Sequence, residues 1–486
     1  MNIAIVGAGP VGIYLAKLCL DNDHEVTLVD SGNINEESNL LTAKNYLFRS
    51  KSAMPSGVHR IGGGSLQWHA RISEFMTEDF ANWPFSKSEL KEHYAELYRF
   101  LEVGSLNDQE IIEKYFQSES LRLYPELKLR SFRFCDPDFF IKLFREILNN
   151  KRLRVIDGHF CIKASKQQNK SQLKLELLKK NFETTSYEFD KIVFASGTFQ
   201  STALVQRSVD PLKVRSNGLI GSNLMEHLEG YIGQITISRK PPLKFFTRLG
   251  LDEKNRALDY FKGIGVAISV NNYRSNERYF NTQFEIRRFM PGPYFFSRYK
   301  NNYKHKSISQ IINVAIFFER GLRYSGRKIR QKFEFLIGRQ RFSIYIKSEE
   351  FPFASSKVFL EDVSKNLVTY DHRVSDETYI ALLYNLKNFQ AIILDKFGIK
   401  VKFNKKVDDI QNLKDFFGAN WHPMGSVRMG TDPVDSICDS NLEIHDFKNL
   451  FVVSAAVFPS GSNTNPTFTT LALARRLVLS EYFNRC

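Results

Sequence analysis

Two sets of residues in this chain have types and spacings that could do chemistry. The first is Gly7, Gly9 and Gly12, within Ile3-Ala4-Ile5-Val6-Gly7-Ala8-Gly9-Pro10-Val11-Gly12. The G-x-G-x-x-G spacing predicts a strand, a tight turn at Gly7 and a helix that opens beside Gly12. Gly9 would let the backbone approach a pyrophosphate, and Gly12 would let helix and strand pack closely. The helix N-terminus then points free N–H groups at the phosphates. Val26-Thr27-Leu28-Val29-Asp30 reads as the second strand, and Asp30 stands where a ribose-binding carboxylate belongs. The motif therefore predicts dinucleotide binding. The second set lies near the other end: His422, within Trp421–Gly430, and Asn465-Pro466-Thr467. Taken alone, His422 would more often be structural, and Asn465 could simply cap the helix that follows.

Several elements must position these residues. Lys191–Gly197 is a buried strand that closes on small residues, Ala195-Ser196-Gly197, and Thr198–Ser208 follows it as a helix. Such a strand end can approach a cofactor closely. Arg154–Ile156, Phe160–Lys163, Leu173–Leu178 and Thr185–Phe189 read as strands. Arg60–His69 contains Gly62-Gly63-Gly64-Ser65, a loop whose backbone can lie close to a flat ligand. Lys87–Phe100 and Asp136–Asn149 read as helices, with His93 expected at a helix surface. From Tyr231 to Val407 the pattern becomes strand-rich: Ile232–Ser238, Gly265–Val270, Thr282–Arg287, Phe342–Ser348 and Lys357–Leu360. This predicts an antiparallel sheet carrying substrate specificity. Ser375–Lys396 reads as an amphipathic helix, and Phe468–Ser480 as the last helix.

Composition sets the bounds. At 486 residues, with 43% hydrophobic and 25% charged residues, the chain is an ordinary globular protein of about two joined domains. The net charge of +15 points to an anionic partner or surface. Five cysteines show neither metal-like spacing nor a disulfide framework, so no metal site is expected. The first strand begins at residue two, leaving no room for a signal peptide, and no apolar run is long enough to span a bilayer. A cytoplasmic location is expected, with peripheral membrane contact open.

With these blocks in order, the chain resembles the glucose–methanol–choline (GMC) oxidoreductases, FAD-dependent enzymes that oxidise alcohols. The resemblance rests on Gly7–Gly12, Gly62–Ser65, Ala195–Gly197, Ile220–His227, His422–Gly430 and Asn465–Thr467. In detail it is similar to the sugar-oxidising branch that includes pyranose oxidase. It implies an α/β FAD-binding Rossmann-like domain, discontinuous in sequence, with an α+β antiparallel-sheet substrate domain. The expected division is FAD-binding parts at 1–75, 150–230 and 415–486, a helical cap at 76–149 and a substrate domain at 231–414. It implies FAD contacts from Gly7, Gly9, Pro10, Val11, Gly12, Asp30, Gly63, Gly64, Ser65, Ile162, Ala195, Gly197, Ala455, Asn465, Pro466 and Thr467. Backbone N–H contacts from near Ser454 are implied as well. The resemblance also makes His422 the catalytic base and Asn465 its partner. Oxidising an alcohol removes a hydride and a proton; flavin N5 accepts the first and an imidazole the second. Asn465 can hydrogen-bond the same oxygen without competing as a base.

Departures from the family pattern carry their own expectations. Gln67 stands where many members have an FAD-linked histidine, so the flavin should be noncovalent. Asp30 replaces the more frequent Glu on a shorter arm, and Ser426 stands where many members have Thr. His227 and His445 read as structural and surface histidines; His69 could face the substrate. The basic, aromatic stretch Arg287–Gln340 has no counterpart. It reads either as a solvated face or as a site for anionic lipid or a phosphorylated substrate, with nucleic acid an unlikely partner. The substrate is expected to be a small alcohol or sugar, with Trp68 suited to stacking on sugar faces; the electron acceptor is unassigned. A flavoenzyme of another class, such as a monooxygenase or amine oxidase, and a noncatalytic FAD-binding scaffold stay open as alternatives.

Overall fold

The structure is a computed structural model. It describes residues 1–34, 46–48, 60–66, 68, 70–104, 110, 128–168, 170–179, 183–209, 218–238, 264–275, 278–288, 339–362, 367–404, 407–417 and 422–485. The expectations for Gln67, His69 and Trp421, and for nearly all of Arg287–Gln340, lie outside the described residues.

A five-stranded parallel sheet forms the first layer. Its order is Leu450–Val452, Lys191–Phe194, Asn2–Val6, Glu25–Val29 and Leu153–Ile156. Strands from the start, middle and end of the chain thus lie side by side. Ile3, Ala4, Ile5, Ile192, Val193, Phe194 and Leu450–Val452 are buried on both faces, which is why these strands read as unbroken apolar runs. The predicted Lys191–Gly197 strand stops at Phe194, and Gly197 instead opens the helix Gly197–Ser208. Helix Pro10–Asp21 starts with Pro at its first turn, where the missing N–H costs nothing. It packs against the C-terminal helix Thr467–Val478. A three-stranded antiparallel meander, His159–Lys166, Leu173–Lys179 and Thr184–Phe189, lies beside this layer.

The second layer is a seven-stranded antiparallel sheet. Its order is Val401–Phe403, Leu228–Ser238, Arg339–Ser348, Arg278–Arg288, Ile264–Ser275, Lys128–Phe134 and Arg71–Ile72. One face carries Ile232, Ile235, Ile237, Phe284, Ile286, Ile344 and Ile346, which bury against the 22-residue helix Asp376–Phe397. Phe284 and Phe389 stack there at 3.9 Å between centroids. Ser375 caps this helix by accepting from the Thr378 N–H, and Gly398 ends it in the left-handed region.

The opposite face is polar, because side chains alternate along a strand. Register places Glu229 directly across from Lys347, and Lys347 across from Gln283 on the next strand; Glu285 faces Tyr345. This polar face meets the residues of the candidate site. A small third sheet pairs Lys357–Asp362, Leu367–Asp371 and Tyr46–Phe48. Cys19, Cys135, Cys161 and Cys438 are buried free thiols. Among the described residues, no helix is long and apolar enough to cross a membrane.

Candidate active site

The glycine turn is built as its spacing demands. Gly7 sits at φ +108°, and a Cβ there would lie 2.8 Å from the Ala195 carbonyl oxygen and the Ser196 Cα. A Cβ on Gly12 would lie 1.7 Å from the Gly7 carbonyl oxygen. Gly62 donates to the Ala8 carbonyl at 2.7 Å, so the two glycine stretches lie against each other. A Cβ on Gly63 would be 3.0 Å from the Gly9 Cα. Ser65 is buried, its Oγ donating to the Gly62 carbonyl at 2.6 Å. At Gly9, Gly64 and Gly197, by contrast, a Cβ would meet nothing among the described residues within 4 Å, chain neighbours apart. The Gly7–Gly12 turn thus lies against both the Gly62–Gly64 stretch and the Ala195–Ser196 strand end, and the three form one cradle at the N-terminus of the helix that begins at Pro10.

Asp30 closes the cradle at the end of the second strand. Its Oδ2 accepts from the Ala8 N–H at 2.6 Å and its Oδ1 from the Gly32 N–H at 2.7 Å. Burial pushes its carboxyl upward, against these two hydrogen bonds. Each oxygen keeps a further lone pair for a hydroxyl. Ile162 sits at an irregularity in the meander, between Cys161 and Lys163, and its carbonyl accepts from Arg207 Nη1 at 3.3 Å. A bulge of this kind turns backbone groups away from the ladder.

The segment that carries His422 is clamped from both sides. Met424 and Met225 exchange two backbone hydrogen bonds, each 2.9 Å. On the other side Gly425, Val427 and Met429 donate to the carbonyls of Ala455, Ala456 and Val457 at 2.8–2.9 Å. Ala455 is thereby fixed beside the histidine loop. Ser454 Oγ accepts from the Ala456 N–H to cap the short turn. Asn465, Pro466 and Thr467 lead into the helix Thr467–Val478, whose Thr470 N–H donates to the Pro466 carbonyl at 2.9 Å.

His422 stands at the centre of a polar cluster. Its Nδ1 lies 3.0 Å from Glu229 Oε1 and 3.3 Å from His227 Nδ1. Its backbone N–H donates to Glu226 Oε2 at 2.8 Å. His227 Nε2 contacts the Ser462 carbonyl at 2.7 Å. Lys347 Nζ is 3.7 Å from Glu229 Oε1 and donates to Asn465 Oδ1; the Tyr345 hydroxyl donates to Glu229 Oε2. The His422 side chain is 22% exposed, whereas Glu229 is 10%, Lys347 4% and His227 0% exposed. His422 is thus the one of these four that opens most toward a ligand.

Burial, together with the Lys347 charge, holds the His422 imidazole below the usual histidine range, although Glu229 opposes the shift. Burial also lowers His227, to about 4. For Glu229, burial works upward but is outweighed by Lys347 and by its contacts with the two histidines, so the carboxyl lies well below its usual range. Glu226 goes the other way: burial and its acidic neighbours Glu350 and Glu229 push its carboxyl well up. At neutral pH the cluster therefore holds two neutral imidazoles beside an ionised Glu229 carboxylate. The ligand-capable atoms of His227, Glu229 and His422 all lie within 4.8 Å of one another.

The structure thus brings His422 and Asn465 together through Glu229 and Lys347, with no direct hydrogen bond between the pair. The fold also brings Glu229 and Lys347, which no sequence motif singles out, beside the pair, together with His227, read in sequence as structural and here fully buried. Trp68 packs on Phe140, and its indole N–H donates to the Pro137 carbonyl at 3.3 Å. His445 is half-buried, with Nε2 2.9 Å from Ser436 Oγ.

The parallel sheet, the glycine cradle and the antiparallel sheet over it form the architecture of FAD-binding GMC oxidoreductases. Solved structures similar over nearly the whole chain include pyridoxine 4-oxidase from Mesorbium loti, with TM-score 0.60, 16% identity and 100% of both chains covered. A formate oxidase gives TM-score 0.60 at 13% identity, covering 98% of this chain and 97% of that one.

Residues 365–474 match the family model described as GMC oxidoreductase, with His422 and Asn465 inside the match. A C-glycoside 3-oxidase of Arthrobacter globiformis is 40% identical over 117 residues, 22% of each chain. A 2-methyl-1,2-propanediol dehydrogenase of Mycolicibacterium austroafricanum is 42% identical over 65 residues, 13% of this chain and 11% of that one. The large subunit of fructose dehydrogenase of Gluconobacter japonicus is 39% identical over 61 residues, 13% and 11% respectively. The chain's match thus spans only 11% to 22% of these relatives' lengths. The group to fit is FAD, whose modification is followed in a similar solved structure, an Aspergillus oryzae formate oxidase with TM-score 0.58 and 13% identity. The residues present fit it: three side-chain-free backbones, a helix N-terminus and a carboxylate form the donor and acceptor set that a pyrophosphate and a ribose require.

Proposed function

We propose that this protein oxidises a CH–OH group of a sugar or sugar derivative, with His422 as the proton acceptor and Asn465 as its partner. The observation that carries the reading is the neutral, partly exposed His422 imidazole, joined to Asn465 by the buried Glu229–Lys347 pair. Gly7, Gly9 and Gly12 would hold the pyrophosphate with Pro10 and Val11 at the helix start, and Asp30 the ribose. Ala195 and Gly197, Gly63–Ser65, Ile162, Ala455 and Asn465–Thr467 would line the rest. When bound, FAD supplies the hydride acceptor. His422 takes the hydroxyl proton, and Asn465 holds the same oxygen, which orients the C–H bond. The polar sheet face supports a polyhydroxylated substrate. Glu229, Lys347, Gln283 and Glu285 line it, and Arg71 pairs with Glu285 at its edge.

The test is anaerobic reduction of the bound flavin by a panel of sugars, simple alcohols and amines. His422→Ala should slow reduction by about 10²–10⁴-fold, the range for general base catalysis, with flavin content nearly unchanged. A variant that reduces its flavin at the original rate would sink the assignment. Reduction by amines alone would move the protein to another flavoenzyme class. We also propose that the flavin is noncovalent, since Gln67 offers a carboxamide where a tethering histidine would be needed. Heat denaturation should release the yellow chromophore into the supernatant; colour that stays in the pellet refutes the proposal.

A further inference from the structure

The hydrogen-bonding partners around His422 decide more than its location. The Ser462 carbonyl can only accept, so the hydrogen on neutral His227 is on Nε2, 2.7 Å from that oxygen. His227 Nδ1 is then a bare acceptor. It lies 3.3 Å from His422 Nδ1, and Glu229 Oε1, also an acceptor, lies 3.0 Å from the same nitrogen. Two acceptors aimed at one ring nitrogen require that nitrogen to carry the hydrogen. His422 is left with its lone pair on Nε2. Lys347 is a donor only, so the Asn465 atom turned toward it is the oxygen. The NH₂ end of Asn465 then becomes the end offered elsewhere, as a donor.

We infer that Glu229, His227 and Lys347 are positioning residues: Glu229 and His227 fix the Nδ1–H tautomer of His422, and Lys347 fixes the amide orientation of Asn465. The inference rests on the proposed catalytic pair. On that reading the atoms left for the substrate hydroxyl are Asn465 Nδ2, a donor, and His422 Nε2, an acceptor. Glu229 then faces the imidazolium that forms, much as a buried carboxylate supports a histidine base in hydrolytic triads. Cross-strand register makes the device a rigid one. Glu229 and Lys347 are directly opposed on neighbouring strands, and Tyr345, two residues before Lys347, holds the other Glu229 oxygen from the same face.

Among the described residues, the groups that act on the His422 titration are Glu229 and His227 at contact distance and the charges of Lys347 and Arg71. Glu226 holds the backbone N–H of the same residue. Lys347 pushes the imidazole down and Glu229 pushes it up, so removing each should move His422 in opposite directions. A merely structural role for the two residues would not.

The experiment is ¹⁵N NMR of the flavin-loaded protein labelled at histidine, with the His422 signal assigned by its loss in His422→Gln. The expected spectrum at neutral pH shows a protonated Nδ1 and an unprotonated Nε2. Lys347→Met should raise the His422 titration midpoint, and Glu229→Gln should lower it and give a mixture of tautomers. Lys347→Arg keeps the charge and should leave the midpoint close to that of the parent. If Lys347→Met does not fold, the Glu229→Gln and Lys347→Arg arms decide. A protonated Nε2 in the parent protein, or a Glu229→Gln midpoint that stays put or rises, overturns the inference. The readout needs no substrate. It can therefore fail while His422 remains the base, or succeed in a protein that alcohols do not reduce.

Discussion

At the scale of single residues, two glycines of one motif do different work. Gly12 is required by the protein itself, since a Cβ would lie 1.7 Å from the Gly7 carbonyl oxygen. Gly9 has an ordinary extended conformation, φ −81° and ψ −175°, and a Cβ there would meet, among the described residues, nothing beyond its chain neighbours within 4 Å. Its bareness is required only by what the cradle holds. Gly12→Ala should therefore lower the stability of the protein by about 1–3 kcal/mol, the usual cost of overpacking. Gly9→Ala should leave the stability of the flavin-free protein nearly unchanged yet weaken flavin retention. Thermal unfolding of the flavin-free proteins, set beside the visible absorbance of the purified ones, checks both. Equal loss of stability in the two variants would mean that Gly9 is structural too.

At the scale of elements, legibility follows the range of the interaction. The parallel strands were readable because Ile3–Val6 and Ile192–Phe194 are apolar at every position, as burial on both faces requires. The helix Asp376–Phe397 was readable because Leu382, Leu386, Phe389 and Ile393 recur on one side and Ser375 and Gly398 punctuate its ends. The strand Lys128–Phe134 was not, because Lys-Leu-Arg-Ser-Phe-Arg-Phe puts basic residues where apolar ones are expected. Arg133 is buried over the Tyr98 ring, and Arg130 donates to Asn463 and to the Glu74 carbonyl. The site divides the same way. His422 and Asn465 stood in short contiguous blocks. Glu229 and Lys347 meet only through the register of two strands whose pairing spans more than a hundred residues, and no local pattern encodes that. The contact of His227 with the Ser462 carbonyl is likewise not legible, because a backbone partner has no sequence signature.

At the scale of the whole molecule, the C-terminal helix Thr467–Val478 ties the fold together. It packs on both Pro10–Asp21 and Lys91–Phe100, so the nucleotide cradle and the helical segment share one contact. His93 belongs to that contact. Expected at a helix surface, it is half-buried, and its Nδ1 accepts from Arg475 Nη1 at 2.9 Å. Burial, reinforced by the charges of Arg475 and Arg476, lowers its pKa from 6.5 to about 4. The sign follows from linkage. The unfolded chain binds a proton at His93 near pH 6.5, whereas the folded protein resists it until about pH 4. The stability this contact contributes is therefore fully present above pH 6.5 and is lost as pH falls from there toward 4. Other groups titrate across the same window, Glu349 among them with its carboxyl raised by burial to about 7. The raw pH profile is accordingly a sum over several groups. Comparison with His93→Gln removes the rest, because Gln keeps an acceptor for Arg475 and does not titrate. The parent protein should lose more Tm than the variant on acidification from pH 6.5 to pH 4, with the two profiles parallel above pH 7. Differential scanning calorimetry of both proteins at several pH values measures this difference. Profiles that stay parallel down to pH 4 would mean that His93 titrates normally and that the helix contact does not depend on its neutral form.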